Sequence, residues 1–225
     1  MTYAGAARRV PERGPEKVFL GLGTNVGDRA AHLAEAVLAL AAHPEIQVTG
    51  VSRVYETEYV GPGTQDPYLN ACVALATRLR PGVLLAVLKG AEQRQGRQPD
   101  GHMRPRPIDL DILLFGDLVM STSGLTVPHR EMRERAFVLE PLAELAPDEK
   151  FPDSGETIAA ACAKIRRKSG PWIKVRPDVE LNKALPDNIK EDWSAALAVD
   201  SRGRSLRRRR DEADVAGGYR DRGRG

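Results

Sequence analysis

"RPRPIDLDILLFG", Arg104 to Gly116, sets two acids two residues apart in an apolar run, just behind two arginines. A run of this length ending in glycine reads as a buried strand. Side chains at i and i+2 of a strand share a face. Ile108, Leu110 and Ile112 therefore point one way, and Asp109 and Asp111 the other, about 6–7 Å apart at roughly 3.3 Å of rise per residue. Two like charges that close on a core strand need a neutralising partner.

The flanking sequence supplies the rest of a fold. "KVFLGLG" (Lys17–Gly23) reads as a short strand. Ala30–Ala42 follows with Leu33, Val37 and Leu40 at helical spacing, Asp28 as N-cap and Pro44 beyond the stop. Ile46–Val60 alternates and is β-branched, Gly61–Pro67 is a turn-rich loop, and Tyr68–Leu79 alternates again. Pro81 opens a helix running to about Gln95, and the polar loop "GRQPDGHMRPRP" leads into the strand with the acids. This order is β-α-β-β-α-β, the ferredoxin-like split unit. "GDLVMSTSGLTVPH" adds a hairpin expected on the same sheet, and helices are expected at about Arg130–Leu145 and Glu156–Arg167. The expected class is α/β (α+β), with a mainly antiparallel sheet. Residues 1–16 read as a loose N-terminal extension, 17–170 as the folded domain, and 171–225 as a charged, largely disordered tail with a short helix near Ile189–Val199.

With 225 residues, 41% hydrophobic, and a formal net charge of +3, the composition fits one globular domain and gives no reason to expect a nucleic-acid partner. No apolar segment approaches the ~18 residues of a membrane span, and the N-terminus has no signal-like apolar region. Cys72 and Cys162 stand in no ligand-like spacing and read as buried thiols of a reducing compartment. A cytoplasmic monomer is expected.

Several motifs carry chemistry. "GLGTNVGD" is spaced G-x-G-x-x-x-G, one residue too long for a dinucleotide fingerprint, and no P-loop is present. Asp109 and Asp111 can anchor Mg²⁺, which takes one or two carboxylates and completes its shell with phosphate oxygens and water. Arg97, Arg104 and Arg106 offer forked donors to the same phosphates, and Glu92 lies near the helix end. Acids and arginines around one cleft suit phosphoryl-type transfer, in which positioning and charge neutralisation do most of the catalysis. A mutual salt-bridge network is the structural alternative. Tyr68 and Asn70 share a strand face and could present a stacking platform and an amide to a flat heterocycle.

"RPRPIDLDILLFG", "DPYLNACVAL", "LTVPHREMRERAFVLEPLAELAP" and "GLGTNVGD" together resemble the 6-hydroxymethyl-7,8-dihydropterin pyrophosphokinase family, from about Lys17 to Lys168. The resemblance implies transfer of the pyrophosphoryl group of ATP to the hydroxyl of the pterin, releasing AMP, in folate biosynthesis. It implies two Mg²⁺ ions on Asp109 and Asp111, with Arg97 and Arg106 as the catalytic arginines. Tyr68 and Phe137 would sandwich the pterin, Asn70 would bond its edge, and Glu92, His129 and Arg135 would line the ATP side. Departures from the family pattern fall at Met103, Arg104 and Arg130.

A binding module is the competing class, because ferredoxin-like sheets also recognise RNA and the tail carries "RRRR" and "RGRG". Against it, aromatics are 5% of the chain, no RNP1-like run occurs, and acids on an open sheet face repel RNA.

Overall fold

The computed structural model describes residues 14–98, 104–168 and 170–185. Met103, the Ile189–Val199 segment, and most of both terminal extensions lie outside these residues. β1 (Glu16–Thr24) is followed by α1 (Arg29–Ala41), β2 (Ile46–Val51), β3 (Tyr55–Thr57), β4 (Tyr68–Thr77), α2 (Pro81–Arg94) and β5 (Asp109–Phe115). After the short β6 (Met120–Ser121) and β7 (Thr126–Val127) come α3 (Ala136–Leu145), α4 (Ile158–Ile165) and β8 (Ile173–Val175). The main sheet runs β5-β1-β4-β3-β8, with β2 also paired to β4, and every pairing is antiparallel. That is the split unit read from the sequence.

Local chemistry places the helices. Asp28 caps α1, its carboxylate accepting from the Ala31 N–H at 3.0 Å. Pro81 occupies the first turn of α2, where no intrahelical donor is needed. Leu33, Val37 and Leu40 of α1 and Leu84 and Leu88 of α2 join Val18, Leu20, Leu22, Leu69, Val73, Leu75, Leu110 and Ile112 in one core on the face covered by α1 and α2. A second core on the opposite face joins Phe19, Cys72, Ala74, Leu113 and Leu114 to Leu139 and Leu142 of α3 and Ile158 and Cys162 of α4. Both thiols are buried in this second core and free.

Three elements depart from the sequence reading. The single strand expected over Ile46–Val60 is divided, because β2 carries a register shift between Val48 and Gly50 and the ladder breaks at Ser52. There the Ser52 hydroxyl accepts from the Cys72 N–H at 2.9 Å, standing in for a backbone carbonyl. The hairpin forms a separate two-stranded sheet, tied to β5 through the bond from His129 N to Leu113 O at 2.9 Å. Part of the expected tail is ordered: β8 covers the edge of β3, and Leu181 and Leu185 are buried in the first core. With only two buried leucines in its last stretch, this segment shows too little periodicity to be read as structure on its own.

Candidate active site

The two aspartates face the cavity because of what stands opposite them. On β1, Asp109 pairs with Gly23 and Asp111 with Gly21, and across β4 the same glycines pair with Asn70 and Cys72. Two residues without side chains thus leave clear floor between the carboxylates and Asn70. A Cβ added at Gly21 would stand 3.3 Å from Leu113 Cδ2, and one at Gly23 would stand 3.3 Å from Asn70 Oδ1, both tight. A register shift beside Phe19 and Leu20 leaves Leu113 as the extra residue of β5. Leu113 and Leu114 consequently both join the second core, while Asp109 and Asp111 line a cavity of about 410 Å³.

The end of α2 aims Arg97 at this floor. Gly96, with φ of +90°, reverses the chain. The Gly96 N–H then donates to the Gln93 carbonyl at 3.0 Å and the Arg97 N–H to that of Glu92 at 3.0 Å, a Schellman ending. The Arg97 guanidinium is thereby placed between Glu92 Oε1, at 2.6 Å, and Asp109, with which it is also paired.

Glu92 itself is 1% exposed and lies behind the cavity wall rather than in its lining. Its Oε1 accepts from the Leu110 N–H at 2.7 Å and from Lys89 Nζ at 2.8 Å. β5 is the outer strand of the sheet, so the outward-facing Leu110 N–H needs a partner from elsewhere, and α2 provides it. Glu92, expected on the ATP side, thus stands outside the cavity lining, where one carboxylate bonds both the aspartate strand and Arg97.

Arg106 Nη1 donates to the other oxygen of Asp109 at 2.7 Å. Its backbone is clasped by Asn25, whose Oδ1 accepts from the Arg106 N–H at 2.9 Å and whose N–H donates to the Arg106 carbonyl at 3.2 Å. Asn25 Nδ2 donates to Gln65 Oε1 at 2.9 Å, and Tyr68 reaches the same oxygen at 3.3 Å. Asp109 is thus flanked by two guanidinium groups. Burial raises the Asp111 carboxyl above the usual carboxylate range, and the charge of Asp109 raises it further.

Across the glycine floor, Asn70 Nδ2 donates to Thr57 Oγ1 at 2.8 Å, which turns Oδ1 toward Gly23. Tyr68 and Phe137 line the same cavity, as do His129 and Arg135. Arg135 pairs with Glu131 and its guanidinium lies 5.6 Å from the Phe137 ring centre. Nine of the ten expected site residues meet here: Tyr68, Asn70, Arg97, Arg106, Asp109, Asp111, His129, Arg135 and Phe137. Arg104 and Arg130 are exposed and stand outside the lining. Sequence reading gave no role to Asn25, Thr57, Tyr59 or Glu131. Asn25 carried a signal, its place in the glycine-rich "GLGTNVGD".

The model of the 7,8-dihydro-6-hydroxymethylpterin-pyrophosphokinase (HPPK) family matches residues 19–147. A 2-amino-4-hydroxy-6-hydroxymethyldihydropteridine pyrophosphokinase of Methylorubrum extorquens is 47% identical over 149 residues, covering 66% of this chain and 93% of the relative. The Bacillus subtilis protein of that name is 42% identical over 153 residues, covering 68% and 92%. Among solved structures, an HPPK-DHPS in complex with substrates superposes with a TM-score of 0.51 at 17% identity, covering 67% of this chain and 43% of that one. Wild-type Plasmodium falciparum HPPK-DHPS with pteroate gives 0.53 at 15% identity, covering 67% and 44%. The structures speak for the fold, and the family match spans the glycine floor, the paired aspartates and both arginines: the chain belongs to the 7,8-dihydro-6-hydroxymethylpterin-pyrophosphokinase family.

Proposed function

We infer that the protein transfers the pyrophosphoryl group of ATP to 6-hydroxymethyl-7,8-dihydropterin, releasing AMP, as a step of folate biosynthesis. The observation that carries this is the single cavity joining a paired-aspartate, two-arginine end to an aromatic and amide end.

The pterin stacks between Tyr68 and Phe137. Asn70, its amide oriented by the bond from Nδ2 to Thr57, offers Oδ1 as an acceptor to the amino and ring N–H groups of the pterin edge. The hydroxymethyl oxygen attacks the β-phosphorus of ATP, and the bond from that phosphorus to the oxygen bridging it to the α-phosphorus breaks. AMP departs with the electron pair, and the hydroxyl proton leaves to solvent. Arg97 and Arg106 hold Asp109 in the free protein. When the triphosphate arrives they exchange this partner for phosphate oxygens, to which their forked donors are matched.

Asp109 and Asp111 fit a divalent cation. Two carboxylates face one open floor. That donor set suits Mg²⁺, whose shell is completed by phosphate and water. Bound there, Mg²⁺ neutralises charge on the triphosphate. We propose that the protein works as a cytoplasmic monomer; among the described residues no helix is long and apolar enough to cross a membrane.

The test is AMP release from ATP. It is expected only with both Mg²⁺ and the dihydropterin present. ATP turnover indifferent to the pterin would overturn the reading.

A further inference from the structure

Tyr59 lines the cavity alongside Tyr68, Asn70 and Phe137, although it stands in a Gly/Pro loop with no core to join. Its ring lies 6.2 Å from that of Tyr68, centre to centre, with the planes 19° apart: an offset stack. Its hydroxyl donates to the Pro62 carbonyl at 3.3 Å. Gly61 provides the space for the ring. A Cβ at that position would fall 2.6 Å from Tyr59 Cζ and 3.1 Å from Cε2, and closer still to the hydroxyl. Stack, hydrogen bond and glycine together hold a half-exposed aromatic in one place at the solvent side of the site.

We propose that Tyr59 is a specificity residue of the pterin half-site, extending the aromatic surface of Tyr68 outward, with Gly61 and Pro62 as the lock that holds its ring. One phenol ring covers about half of a fused bicyclic heterocycle; the Tyr59 ring, packed against Tyr68 on the cavity wall, gives its outer part a second apolar contact. The inference rests on the pyrophosphokinase reading, which names the heterocycle.

The experiment measures equilibrium binding of 6-hydroxymethylpterin to the full chain by fluorescence, which needs no turnover. Tyr59→Ala should weaken binding about three- to tenfold, the range expected for one aromatic contact. Tyr59→Phe should stay within about twofold of wild type, and the KM for ATP should not move in either variant. Gly61→Ala displaces the far end of a flexible side chain, so the protein should fold and lose pterin affinity as Tyr59→Ala does. In the Tyr59→Ala background it should cost nothing more, because the ring it displaces is gone. Pterin affinity unchanged within about twofold in Tyr59→Ala would overturn the proposal, as would equal weakening by Gly61→Ala with and without the Tyr59 ring. If the wild type binds the pterin yet releases no AMP, the transfer reading fails, while the Tyr59→Ala affinity ratio still decides this one. If it binds no pterin, both fall together.

Discussion

Along β1, the face that carries Phe19 is buried beneath α3 and α4, whereas at Gly21 and Gly23 the same face lies open as the cavity floor. β4 and β5 repeat the contrast. Ala74, Leu113 and Leu114 belong to the covered half, and Asn70, Asp109 and Asp111 to the open one. Backbone, pairing and face are shared, so the difference lies in side chains and in one extra residue. Large apolar groups draw helices onto one half. Glycines set between a carboxylate strand and an amide strand keep the other half free for ligand. A sheet can therefore build its own rigid support and its own site on one surface, with Leu113 at the boundary, touching the second core and the cavity alike.

The contrast predicts opposite responses to substitution in the two halves. In the open half, Asp109→Asn or Asp111→Asn should lower kcat by about a hundredfold or more, the scale of a lost charge-stabilising group. The melting temperature should not fall. Turnover within about tenfold of wild type would remove these carboxylates from the chemistry. In the covered half, Leu139→Ala should cost about 2–5 kcal/mol of stability by leaving a cavity in a fully buried site. Its kcat, measured well below the melting temperature, should match wild type; a large kcat loss would show that the two halves are not separate.

A smaller effect concerns the edge that braces β3. A chain ending after Leu185 keeps the docked segment and is the reference. One ending after Arg176 loses the burial of Leu181 and Leu185 and should be destabilised by about 1–2 kcal/mol net, once the regained chain entropy is subtracted. Identical denaturant midpoints for the two would show that the docked segment adds nothing.

The smallest effect is electrostatic. The Asp111 carboxyl is raised by burial and then by Asp109, so ionising it in the metal-free fold is unfavourable relative to the unfolded chain. Below the ordinary carboxylate range the group is protonated in both states and carries no penalty. As pH rises through its raised value, metal-free wild type loses stability that Asp111→Asn keeps. Without Mg²⁺, Asp111→Asn should melt slightly higher than wild type at neutral pH and level with it in acid. The reverse order at neutral pH would mean that the charge of Asp111 is compensated in the folded protein.

Local periodicity determined much of this protein. The alternation at Ile108–Ile112 placed both aspartates on one face, Asp28 marked the start of α1, and Pro81 that of α2. The order of strands and helices then allowed one antiparallel sheet. These features are legible because each depends on neighbours within a turn or a strand. What tertiary structure decided depends on partners far along the chain. Glu92 has the spacing of a helix-end acid, but only the exposed edge of β5 turns it into a buried strand anchor. Ser52 breaks a strand because Cys72, 20 residues later, offers it an N–H. Leu181 and Leu185 look stranded in a charged tail until the first core gives them a place. A side chain's face is written in its own segment, whereas what covers that face is fixed by which distant surfaces remain unburied once the sheet has formed.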